Sequence, residues 1–143
     1  MTQIFVNLPT SDLERATTFY TALGAAINPA FTNEEAACLV WDENVYFMVL
    51  TRDFFQTFTS KQIADTEATS AAIIALSRES RVHVDGTADA ALAAGGREHR
   101  DPTDYGFMYS RSIEDPDGTI LEFMWMDPAA AQNGPDAPTG ATE

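Results

Sequence analysis

Hydrophobic and polar positions along the chain fall into a pattern that occurs twice. Residues 4–8 form a short apolar run closed by Pro9, which predicts a strand. Leu13, Ala16, Phe19, Tyr20 and Leu23 then recur at helical spacing and define one apolar stripe. Gly24 follows the last of them as a helix stop. Ser11 and Glu14 have the spacing of a capping box, in which Ser11 caps and Glu14 reaches back. Residues 25–31 read as a weak strand interrupted by Pro29, residues 36–41 as a clearer one. Asp42, Glu43 and Asn44 signal a turn, and residues 45–50 (VYFMVL) read as an uncharged strand.

Residues 51–69 have no clean period and carry Phe54, Phe55 and Phe58. They read either as a connecting arm that buries its phenylalanines or as a lid or dimer contact. The first pattern then returns. A strand is predicted in residues 70–77, and a helix over 81–94 that Ser80 can cap and Gly95 and Gly96 stop. Gly86 inside that helix costs about 1 kcal/mol relative to alanine, which would move its start towards Thr87. A short strand over 97–100 and a loop over 101–104 follow. Strands over 106–113 and 119–126 flank the turn at Asp115, Pro116, Asp117 and Gly118. The predicted fold is therefore α+β, two paired βαβββ units whose sheets curl around one concavity as a cup-shaped, partly open β-barrel. The predicted divisions are 1–50 for the first unit, 51–69 for the arm and 70–127 for the second unit. Residues 128–143 are rich in Ala, Pro, Gly and Asp and are expected to form a disordered tail.

Charge narrows the function classes. Eight basic residues stand against 22 acidic ones, a net charge of −14, which repels nucleic acid and anionic membrane and is compatible with a cationic ligand. Cys38 is the single cysteine, so no intrachain disulfide can form, and it reads as a small core residue. No stretch approaches a membrane span and the start lacks a signal-peptide pattern, so a cytoplasmic location is expected. No nucleophile motif and no phosphate loop is present.

The stretches LPTSDLERATTFYTALG and DYGFMYSRSIEDPDGTILEFMWMD, in this order of elements, resemble the vicinal oxygen chelate superfamily. Its members include glyoxalase I, extradiol dioxygenases, fosfomycin-resistance enzymes and bleomycin-binding proteins. The resemblance covers about residues 3–127. It implies a fold often completed as a homodimer and, in many members, four side chains in the cup that hold a divalent ion. Carried onto this sequence, those positions fall on Phe5, near Val49, near Ile73 and on Glu122. Three of the four cannot coordinate, and shifting any of them by one residue does not restore a ligand. His83 and His99 lie at none of these positions. No cofactor is therefore expected, with a divalent metal as the alternative.

Glu122 is the one charge inside an apolar strand. Burying an unpaired carboxylate is costly. It can accept a hydrogen bond from a ligand, pair with a group such as Arg111, Arg52 or Tyr109, or act as a general base. By alternation it shares its face with Ile120 and Met124. Under the resemblance Phe5, Asn7, Phe47, Val49 and Ile73 join that face as ligand-binding positions. The function expected is a glyoxalase/bleomycin-resistance/dioxygenase-like protein that binds a small molecule in an apolar cup without the usual metal. The alternative is a metal-dependent lyase (lactoylglutathione lyase-like) or an extradiol dioxygenase with atypical ligands.

Overall fold

The structure, a computed structural model, describes residues 1–136. It divides into two compact units, residues 1–70 with 116–118, and residues 71–115 with 119 onward. Each is a βαβββ unit with a helix on one face of a four-stranded mixed sheet.

In the first unit, β1 (Ile4–Thr10) lies parallel to β4 (Val45–Thr51), which continues antiparallel to β3 (Ala36–Asp42) and then β2 (Ala26–Ile27). Helix α1 (Leu13–Ala22) buries Ala16, Phe19 and Tyr20 against β3 and β4. Tyr20 meets Phe47 edge to face with ring centroids 5.4 Å apart, and Leu39 is fully buried in the same layer. The weak strand expected over 25–31 shortens to β2 because Asn28 caps a single 3₁₀ turn, Pro29–Phe31. The α1 cap also differs from the expectation. Asp12, not Ser11, accepts the Arg15 N–H at 3.0 Å.

Ser11 is drawn off by Asp117, whose Oδ1 accepts from the Ser11 N–H and hydroxyl, both at 3.0 Å, and pairs with Arg15 at 3.1 Å. Its Oδ2 accepts from the Thr10 hydroxyl at 2.6 Å. The acidic turn is thus an internal counter-charge at the start of α1, where negative charge is favoured. The arm opens with a short helix, α2 (Arg52–Phe55), capped by the Thr51 hydroxyl, and a 3₁₀ turn, Gln56–Phe58.

In the second unit, β5 (Ile73–Ser77) lies parallel to β8 (Ile120–Met126), followed by β7 (Met108–Glu114) and β6 (Arg97–Asp104), both antiparallel. Helix α3 (Arg81–Ala93) begins at Arg81 despite Gly86, because Ser80 accepts the His83 N–H and Val84 is fully buried. Val84, Ala88 and Ala91 pack over β7 and β8, where Ile113, Leu121 and Phe123 are fully buried. The predicted loop over 101–104 is instead the continuation of β6. Pro102 is tolerated because β6 is an edge strand with two register shifts. The tail is a second correction: α4 (Pro128–Asn133) is helical, capped by Asp127 on the Ala129 N–H, and it buries Ala130. Residues 137–143 of the expected tail lie outside the described residues.

Candidate functional site

Side chains opposite one another in neighbouring strands share a face, so the strand register sorts the predicted site residues. In the first unit Phe5 pairs with Tyr46 and Asn7 with Met48. Phe5 stacks on Tyr46 at 4.5 Å, nearly parallel, and remains 49% exposed. Phe47 and Val49 belong to the other face. Phe47 is fully buried against Tyr20 of α1, and Val49 pairs with Leu8 one step along. Their placement with Phe5 and Asn7 is therefore corrected: the face of the first unit opposite α1 carries Phe5, Asn7, Tyr46, Met48 and Leu50.

In the second unit Ile73, Glu122 and Met124 lie on one face of the sheet. Ile73 pairs with Ile120, Ala75 with Glu122 and Ser77 with Met124, while Leu121 and Phe123 are buried on the α3 side. The spacing within the two units relates their strands residue by residue. Phe5 and Ile73 each lie eight residues before the first residue of their helix (5 to 13, 73 to 81). Two residues on, Asn7 pairs with Met48 and Ala75 with Glu122. The counterpart of Glu122 in the first unit by this spacing is Met48, the neighbour of Val49.

Glu122 has a partner that sequence reasoning missed. Arg100 Nη2 donates to its Oε2 at 3.1 Å, and Arg100 Nε donates to the Ser112 hydroxyl at 3.2 Å. The partners considered from sequence are engaged elsewhere or unconnected to it. Arg111 lies on the α3 side, bonded to Asp85, Asp89 and Glu98, and Tyr109 donates to Asp85 at 2.7 Å. Burial pulls the Arg111 pKa down, but the bonds to Glu98 and Asp85 outweigh it and hold the group above the ordinary arginine value. His99 reaches Glu114, its Nδ1 3.0 Å from Oε2, while Arg97 donates to Oε1 at 2.9 Å. Burial raises the Cys38 thiol pKa, which keeps it protonated.

The Glu114 cluster gives a pH prediction. The bond to His99, then those to Arg97, hold the Glu114 carboxyl below the ordinary glutamate value against partial burial. A carboxyl depressed in the folded state stabilises it above the unfolded pKa of about 4.3, and that contribution is lost as pH falls through the folded value. The stability advantage of the protein over Glu114→Gln is expected to be fully present near pH 5 and to shrink as pH falls towards 3. Urea titrations at several pH values check this. A difference that stays flat down to pH 3 would show the carboxylate to be unsupported.

The first unit holds a hollow of about 350 Å³ lined by Asn7, Leu50, Phe55, Phe58 and Thr59. Its floor is the face of the sheet opposite α1 and its wall is α2 with the 3₁₀ turn, where Phe54 and Phe58 meet edge to face at 5.1 Å. The Asn7 amide donates to the Phe5 carbonyl at 3.3 Å, which leaves its side-chain oxygen unengaged among the described residues. A second, polar hollow of about 310 Å³ lies around Ser11, Arg15, Arg52 and Asp117. Asp117 is already saturated there by the contacts that seat the acidic turn.

The residues do not fit the divalent ion that the superfamily often holds. Phe5, Met48 and Ile73 offer no hard donor, and the Glu122 carboxylate is committed to a guanidinium. Among the described residues no group of three or more His, Cys, Asp or Glu could hold a metal. A protein-bound transition ion takes three or four such ligands.

A family model described as bleomycin resistance protein-like N-terminal matches residues 2–41. Among curated proteins none matches this sequence. Solved structures similar to it include the hypothetical protein SA1046 from S. aureus, 24% identical, with a TM-score of 0.74 over 87% of this chain and 94% of that one. A glyoxalase-related enzyme from Fulvimarina pelagi is 20% identical, with a TM-score of 0.75 over the whole of both chains. The bleomycin resistance determinant encoded on transposon Tn5 is 18% identical, with a TM-score of 0.62 over 89% of this chain and 99% of that one. The chain has the fold of these structures, that of the vicinal oxygen chelate superfamily. Its N-terminal residues carry the bleomycin-resistance-like sequence pattern.

Proposed function

We propose that this protein binds a small, largely apolar molecule in the hollow of its first unit and does so without a divalent metal. The observation that carries the reading is the hollow itself: about 350 Å³, lined by Leu50, Phe55 and Phe58, with Asn7 as the polar group on its floor. Small-molecule sites are typically about 300–1,000 Å³, mostly apolar, with a few polar groups that fix orientation. Phe5, Met48 and Ile73 at the metal-ligand positions support the same reading. So does the structural likeness to a bleomycin resistance determinant. Glu122 serves in this reading to hold Arg100 rather than to abstract a proton. Assembly as a homodimer belongs to the proposal and is checked by light scattering.

The test uses the neutral fluorophore N-phenyl-1-naphthylamine. The protein is expected to bind it saturably, one per chain. Phe58→Asp, a change at an exposed position on the rim, is expected to weaken binding at least fivefold. Val82→Asp, equally exposed on α3, leaves binding unchanged. Equal affinity in all three proteins would remove the hollow from consideration. Elemental analysis checks the metal: one tightly held divalent ion per chain, lost in Glu122→Ala, would overturn the metal-free reading.

A further inference from the structure

Arg100 sits on an edge strand, is 53% exposed, and is nevertheless held at two points. The row across the second sheet explains how. Ala75, Glu122, Ser112 and Arg100 are successive register partners on β5, β8, β7 and β6. Ser112 is small, so the Arg100 side chain can lie across β7 and reach β8. Its Nε bonds Ser112 and its Nη2 bonds Glu122, whose side chain is only 18% exposed. A guanidinium presents its N–H groups along two usable edges. The side edge, Nε with one hydrogen of Nη2, is spent on these two contacts. The end edge, made by Nη1 and the other hydrogen of Nη2, is engaged by no described residue.

We infer that Arg100, oriented by Glu122 and Ser112, is a receptor for the carboxylate of a small organic monoacid. The end edge of a guanidinium matches the two oxygens of a carboxylate, with two parallel N–H···O bonds. Glu122 and Ser112 remove the rotamer freedom that an exposed arginine loses on binding, so the fork is pre-organised. The neighbouring cations of β6 do not compete for the ligand, because Arg97 and His99 are both paired with Glu114. Glu122 balances the charge of Arg100 and the chain carries −14 overall, so a singly charged acid is preferred over a phosphate dianion. Next to Glu122 on the same face stand Ile120, Met124 and Ala75, which suit an apolar body behind the carboxylate. The inference rests on the second unit alone and stands whether or not the first unit's hollow takes a ligand.

Benzoate, with benzamide as its neutral isostere, tests it. In a titration followed by ¹H–¹⁵N NMR, benzoate is expected to shift the Arg100 Nε–H resonance saturably, and benzamide to bind at least tenfold more weakly. Arg100→Gln is expected to lose at least tenfold in benzoate affinity. Arg100→Lys, which keeps the charge but not the planar fork, is expected to lose at least fivefold. Benzamide binding as tightly as benzoate would overturn the inference, as would full affinity in Arg100→Lys or displacement by an equal concentration of chloride. The benzoate and benzamide comparison is made on the unaltered protein, so it decides the matter even if a variant folds poorly.

Discussion

Replacing Gly118 by alanine is expected to lower the stability of the protein by about 3 kcal/mol, combining the strain of a positive φ with a clash against backbone. Gly118 has φ +90, where an L side chain costs about 1–2 kcal/mol. A Cβ there would also meet the carbonyl oxygen and carbon of Thr66. Those are main-chain atoms and cannot swing aside, so the turn or the arm has to move. Movement breaks the bond from the Thr66 hydroxyl to the Asp117 carbonyl and disturbs the contacts of Asp117 with Thr10, Ser11 and Arg15. Gly106 is the internal control. Its φ is +81, but nothing lies within 4 Å of an added Cβ, so Gly106→Ala is expected to lose only about 1 kcal/mol. Urea midpoints at unchanged slope measure both. Equal losses in the two variants would mean that the approach of Thr66 has no energetic consequence.

Arg111→Ala is expected to cost about 3 kcal/mol, and Arg111→Met distinctly less, about 1–2 kcal/mol. The Arg111 side chain is 10% exposed and meets Asp85 at 3.0 Å, Asp89 at 3.4 Å and Glu98 at 3.2 Å. Alanine leaves an unfilled space beneath α3 and strips three carboxylates of their counter-charge. Those carboxylates are well exposed, so water screens much of their repulsion, and the larger part of the loss comes from packing. Methionine refills the volume. It also removes Nε, which is buried with no hydrogen-bond partner among the described residues. The remaining deficit of the methionine variant is repulsion and should shrink in 1 M salt, whereas that of the alanine variant should largely persist. Denaturation at two ionic strengths separates the terms. A methionine variant as unstable as alanine at both would assign the whole effect to the ion pairs.

Much of the fold was legible because local chemistry and the final fold agree. Alternating and helical apolar periods, Gly24 and the Gly95–Gly96 pair as stops, and the Asp42 and Asp115 turns each act within a few residues. The repeat of strand, helix and three strands follows from them. Ser11 shows where local reading stops. Its capping-box spacing is real, yet a partner more than a hundred residues away bonds it instead, and Asp12 caps the helix. The first helical turn of α4 was missed because a Pro-Ala-Ala run carries no period.

The candidate site was legible only where one sheet face differs from the other. In β8, Glu122 and Met124 alternate with the buried Leu121, Phe123 and Trp125, so their face could be assigned. In β4 the run VYFMVL is apolar at every position, so nothing in it distinguishes the helix side from the far side. The register of β1 on β4 settled that, and it moved Phe47 and Val49 to the helix side while bringing Tyr46, Met48 and Leu50 to the face of Phe5 and Asn7. Arg100 was invisible for a further reason. The register shifts in β6 destroy the parity that would have placed it opposite Ser112 and within reach of Glu122. Sequence alone determined the order of the main strands and helices and the lone charge in the last strand, because each is a property of residue type and spacing. The tertiary structure decided which side chains face one another and what Glu122 holds, because strand pairing and bulges are fixed by partners far away in the chain.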